Sequence, residues 1–193
     1  MMKQIVLSEL RSIAEQAKEG LRTVSDKMGR PIKIYIHWSG GHYQQYFNDY
    51  HINVGQNGEL FITTEDFNEY KLHTYHRNSG AVAIVAACAY NAQSTNNLGP
   101  EPPTEAQIEA IAQAIAVLTR TFDIPIDNRH VMTHAEAADN ADGDSRWHEP
   151  YGPRTTGERW DFWVIYEGDE PGSGGNILRG KGVWYSYNGD ICE

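Results

Sequence analysis

Ile32-Lys33-Ile34-Tyr35-Ile36-His37 alternates apolar and polar positions with a period of two, the pattern of a strand with one face in a core. Ile32, Ile34 and Ile36 share one face; Lys33, Tyr35 and His37 share the other. A histidine at the end of an apolar strand is ordinarily structural, so the meaning of His37 depends on the rest of the chain.

Upstream, Ser8 is placed to cap a helix over about residues 8–21, in which Leu10, Ile13, Ala14, Ala17 and Leu21 recur at helical spacing. Downstream, Asn48 to Val54 and Glu59 to Thr63 read as strands joined around Gln56-Asn57-Gly58, a strong hairpin signal. Ala81 to Ala87 is a short apolar run of the kind found in a buried central strand. After Pro102-Pro103, Thr104 and Gln107 form a capping-box pattern. The helix that follows carries Ile108, Ile111, Ala112, Ile115, Leu118 and Phe122 as one stripe, and Asp123-Ile124-Pro125 stops it. Arg129 to Thr133 predicts one more short strand, ending beside His134. Strands mixed with helices predict an α/β class. We expect a single domain over residues 1–193, with a central mixed β-sheet flanked by helices and a core over about 30–165. The C-terminal extension, about 166–193, contains a flexible Gly168 to Gly175 stretch that would link to a terminal strand at Val183 to Tyr187, with Trp184, Tyr185 and Tyr187 packing.

Composition narrows the function. The chain has 193 residues, 40% hydrophobic, and a formal net charge of -10. That charge argues against nucleic acid or anionic lipid as a partner. With Cys88 and Cys192 alone there is no disulfide framework, and Cys88 sits in an apolar run as a small core residue. No apolar run is long enough to insert into a membrane. The N-terminus lacks the pattern of a secretory signal, so synthesis in the cytoplasm is expected. Action would then be there, or outside the cell after lysis or dedicated export.

His37 ends one expected strand and His134 directly follows another, and imidazole nitrogens with a carboxylate are a donor set that zinc accepts. Asp161 is the first choice for that carboxylate, but Asp139, Asp142, Asp144 or His148 in the long loop from Asp139 to Gly157 could take the position. The acids of that loop do not match an EF-hand register, and a solvated loop is the plain expectation. Tyr50 could pack across strands. His51, one position on, should face the opposite side and be structural. His76 is as readily a surface residue, and His42 and His130 receive no role.

The ordered set His37, Tyr50-His51, Asn78, His134 and Trp160-Asp161 resembles the zinc-dependent N-acetylmuramoyl-L-alanine amidases of the peptidoglycan-recognition and phage lysozyme-like type. The motifs carrying the resemblance are Ile36-His37-Trp38-Ser39-Gly40, Asp49-Tyr50-His51-Ile52, Asn78-Ser79-Gly80-Ala81 and Thr133-His134-Ala135-Glu136. It implies one zinc held by His37, His134 and Asp161, a catalytic Tyr50, and hydrolysis of the amide between N-acetylmuramic acid and L-alanine in peptidoglycan or muropeptides. Arg159 would face developing negative charge. Glu136, two residues after His134, would point to the same side of an extended segment as proton shuttle, or would orient the histidine from behind. His73 and Asn78 would line the substrate groove. The chain departs from the family in three places. Asp161 is followed by Phe162-Trp163 where many relatives have Pro-Gly; Arg159 replaces a lysine; and Ile84-Val85-Ala86 stands where some relatives carry a glutamate base. The alternatives are a non-catalytic muropeptide-binding module of the same fold and a zinc amidase acting on a different amide.

Overall fold

The computed structural model describes residues 2–147 and 150–189. Six strands form one mixed sheet in the order β1-β4-β3-β5-β2-β6. They are β1 (Lys3–Ile5), β2 (Lys33–Trp38), β3 (Ile52–Val54), β4 (Leu60–Ile62), β5 (Ala81–Ala86) and β6 (Val131–Thr133). β3, β5, β2 and β6 run parallel, while β4 pairs antiparallel with β3 and with β1. The expected single mixed α/β domain is what forms.

The two faces of β2 divide as its alternation predicts. Ile34 and Ile36 join the main apolar core with residues of α1 (Leu7–Met28) and α2 (Glu105–Phe122). Tyr35 instead sits in a small cluster with Met132 and Ala137, under the segments that carry the site. All six residues of β5 are buried, because a strand between two parallel neighbours is covered on both faces. The α2 capping box forms as read: the Gln107 backbone N–H donates to Thr104 Oγ1 at 3.1 Å, and the Thr104 N–H donates to the Gln107 side chain at 3.0 Å.

Four expectations change. α1 begins at Leu7, before Ser8, because Glu9 reaches back to accept the Val6 N–H at 3.0 Å, and it runs on to Met28. The segment read as a strand from Asn48 contains β3 only from Ile52, which leaves Tyr50 in the preceding turn. The expected terminal strand is a helix, α4 (Gly174–Asn188), whose Leu178 and Gly182 are buried, while Trp184 and Tyr187 stay exposed instead of packing.

The fourth change concerns the long loop, which is exposed at Arg154 to Gly157 as expected but pinned at Asp142. Asp142 accepts from Lys33 Nζ at 2.7 Å and from Arg77 Nη1 and Nη2 at 2.7 and 3.2 Å. These side chains are 1%, 2% and 0% exposed, respectively. Burial pushes the Asp142 carboxyl up, but its two cations more than reverse this and hold it down to about 2.

Candidate active site

His37 is the fifth residue of β2, and His134 is the first residue of the short helix α3 (His134–Ala138), directly after β6. Both therefore stand at carboxyl ends of adjacent parallel strands, where open α/β sheets place their ligand sites. Asp161 comes from the loop beyond. Its backbone carbonyl accepts from the Ala135 N–H at 3.4 Å, which ties that loop to the turn bearing His134.

The three side chains converge. His37 Nδ1 lies 3.1 Å from His134 Nδ1, and Asp161 Oδ2 lies 3.5 and 3.4 Å from the same two nitrogens. A tetrahedral ion with ligand bonds of about 2.0–2.1 Å separates its ligands by about 3.3 Å. The donor set and its spacing thus fit zinc, and among the described residues no other group of three His, Cys, Asp or Glu side chains gathers closely enough to hold a metal ion. His37 is fully buried and His134 nearly so, while Asp161 retains some exposure. Burial disfavours the Asp161 carboxylate, but the facing imidazoles of His134 and His37 outweigh it and hold the group well below the usual carboxylate range.

Behind His37, Thr74 Oγ1 sits 3.2 Å from Nε2, so the far nitrogen of the ring is oriented by a hydroxyl. The same hydroxyl lies 2.9 Å from His73 Nδ1, and the His73 ring packs edge-on against His37 with centroids 5.5 Å apart. Asn78 Oδ1 accepts the backbone N–H of both His73 and Thr74, at 3.1 and 2.7 Å. His73 and Asn78 were expected to line the groove. Both are buried, and they shape the turn that carries Thr74. His51 is structural, as expected: the Ala83 N–H donates to its Nδ1 at 3.0 Å and its Nε2 faces the Glu69 carbonyl at 3.0 Å. That network assigns the Nε2–H tautomer, and burial holds the ring's pKa down at about 4.

The Tyr50 ring lies 5.0 Å from that of His37. Burial, with Asp161 and Asp49 nearby, pushes its phenol well above the ordinary value, so it keeps its proton at neutral pH and is a hydrogen-bond donor. The positive charge of Arg159 opposes that shift, and its own side chain is exposed.

Glu136 is elsewhere. The segment after His134 is helical, not extended, and Thr133 and Glu136 form the capping box of α3. Glu136 Oε2 accepts from the Thr133 N–H at 2.9 Å, and both carboxylate oxygens accept from Arg179 at 2.7 Å. Both carboxylate oxygens are thus engaged at the base of the turn that carries His134. The other candidates for third ligand also have separate partners: Asp139 with the Arg154 N–H, Asp142 with Lys33 and Arg77, and Asp144 with Arg146. His148 lies outside the described residues.

A comparison with curated proteins finds no match. A family model described as N-acetylmuramoyl-L-alanine amidase matches residues 27–150, which takes in His37, Tyr50 and His134 and stops short of Asp161. The match covers more than half of the chain, and its fold and converging site agree with it: the chain belongs to the N-acetylmuramoyl-L-alanine amidase family, Amidase_2.

Proposed function

We propose that this protein is a zinc-dependent amidase that hydrolyses the bond between N-acetylmuramic acid and L-alanine in peptidoglycan or muropeptides. The observation that carries the reading is the triangle of His37, His134 and Asp161, with sides of 3.1, 3.4 and 3.5 Å. Bound there, zinc supplies Lewis acidity toward the scissile carbonyl and makes water nucleophilic near neutral pH. The chain's own groups do the rest. Tyr50, protonated at neutral pH, donates a hydrogen bond to the carbonyl oxygen as negative charge grows on it. Arg159 adds a fixed positive charge at the open side of the site, and arginine does not lose it. Thr74 and His73 fix the rotation of the His37 ring so that Nδ1 faces the other ligands.

A second reading, a module that binds muropeptide without cleaving it, draws on the engagement of Glu136 by Arg179, which removes one candidate proton carrier. Metal analysis of purified protein, joined to mass analysis of muropeptides before and after incubation, separates the two. We expect about one zinc per chain, the stoichiometry of a mononuclear three-ligand site, and release of free stem peptide. His37→Ala, His134→Ala and Asp161→Ala should each lose both. Full activity in metal-free protein would refute the zinc mechanism. Binding without any release of stem peptide at any metal concentration would establish the module instead.

A further inference from the structure

We propose that α4, beyond the residues matched by the family model, is a positioning element that holds two of the three metal ligands in register. Gly174 and Gly175 seat its first turn, and Arg179 locks it in place. This rests on the zinc reading above. A Cβ at Gly174 would lie 2.0 Å from the carbonyl oxygen of Phe162, the residue directly after Asp161. One at Gly175 would lie 2.3 Å from both carboxylate oxygens of Glu136, two residues after His134. At Gly174 the neighbour is backbone and only glycine permits the approach; at Gly175 an added Cβ would push the Glu136 carboxylate off Arg179, so the start of the helix bears on both ligand segments at once.

Further along, Arg179 meets Glu136 fork to fork, with Nη1–Oε2 and Nη2–Oε1 both at 2.7 Å, and Nη1 also donates to the Val131 carbonyl of β6 at 2.9 Å. A bidentate pair fixes orientation as well as distance. The turn bearing His134 is thereby clamped from the strand before it and the helix after it. On the Asp161 side, Phe162 holds a left-handed backbone (φ 54) that a bulky residue rarely adopts. Its buried ring is seated on Trp38, with centroids 5.6 Å apart, and Trp38 directly follows His37.

The test separates a helix that merely packs from one that sets the geometry of the ligands. Gly175→Ala, Arg179→Lys and Gly180→Ala are compared with wild type by zinc affinity, measured in competition with a chelating dye, and by the visible bands of the Co2+-loaded protein. Gly180 is the control: it lies in the same helix, is exposed, and has nothing within 4 Å of an added Cβ. Gly180→Ala should raise Tm through helix propensity and leave the metal unchanged. Gly175→Ala and Arg179→Lys should weaken zinc binding about 10- to 100-fold, the range for groups that orient ligands, and should shift the Co2+ bands. A fall in Tm with wild-type affinity and spectrum in both variants would overturn the proposal. If Gly175→Ala does not fold, Arg179→Lys, which keeps the charge and loses the fork, decides alone. A wild-type protein that binds neither metal removes the zinc reading and this inference with it, an outcome distinct from normal metal binding in the variants.

Discussion

Removing the carboxylate of Asp142 is the most demanding test of how the long loop is held. Asp142 bridges two fully buried cations, Lys33 and Arg77, with three donor contacts between 2.7 and 3.2 Å. In Asp142→Ala both cations stay inside without that carboxylate, although Arg77 keeps its bonds to the Trp147 carbonyl and Asn140 Oδ1. Breaking a buried pair in this way costs about 3–5 kcal/mol, a large fraction of the roughly 5–15 kcal/mol by which a domain is stable. Asp144, two residues on, is the internal comparison. Its partner Arg146 is 56% exposed, and Asp144→Ala should cost no more than about 1 kcal/mol. Urea unfolding at pH 7, fitted with a common m-value, measures the difference.

Acid supplies a second readout of the same contact. The folded carboxyl titrates at about 2, against 3.8 without its partners. Its contribution is therefore complete above the unfolded value and is lost as pH falls through the folded one, amounting to about 2 kcal/mol at 1.36 kcal/mol per pKa unit. Asp142→Ala should flatten that part of the acid limb. A variant no less stable than Asp144→Ala, with the acid limb unchanged, would show that the buried cluster does not hold the loop.

Three other outcomes are expected. His51 titrates near 4 when folded and near 6.5 when exposed, so its contribution is full above 6.5 and declines as pH falls toward 4, by about 3 kcal/mol in all; NMR should show a neutral His51 ring at pH 5.5, and a protonated ring there refutes the assignment. Tyr50→Phe should keep its zinc and lower kcat about 10- to 1000-fold, the range for a lost transition-state hydrogen bond or proton-transfer group; an unchanged kcat would remove Tyr50 from the reaction. Thr74→Val should lower Tm, because it takes the hydroxyl away from buried nitrogens of His37 and His73, and should also loosen zinc about 10- to 100-fold; equal affinity in a chelator competition would mean that the ring is held by packing alone.

The parts of the fold legible in the sequence are those where the signal and its cause are both local. The alternation of β2, the apolar run of β5 and the Thr104–Gln107 capping box each contain their own explanation. β1 is three residues with two exposed polar side chains, too short to show a period. α4 was hidden for a different reason: its aromatics suggest a strand, whereas its helix is settled by docking through Leu178, Arg179 and Gly182. The burial of Asp142 was equally out of reach, since its partners lie 109 and 65 residues away. The conformation of the segment after His134 is the instructive difference. Thr133-His134-Ala135-Glu136 is the same capping pattern that correctly located α2, and it announced a helix start where an extended segment was assumed.

The same distinction runs through the site. His37 and His134 are delivered by the ends of neighbouring parallel strands, so the strand pattern brings them together once the sheet forms. Asp161 arrives from a loop, and only tertiary contacts account for its place: its carbonyl on the Ala135 N–H, and the flanking Trp160 and Phe162 rings on Trp38 at 4.8 and 5.6 Å. Aromatic packing on both sides of Asp161 thus fixes the backbone that carries it. The buried positions of His73 and Asn78 carry a further consequence. With His73 and Asn78 engaged around Thr74, the proposed reading leaves recognition and chemistry to Tyr50 and Arg159. Replacing either should alter turnover while the metal stays bound, and replacing the buried pair should loosen the metal first.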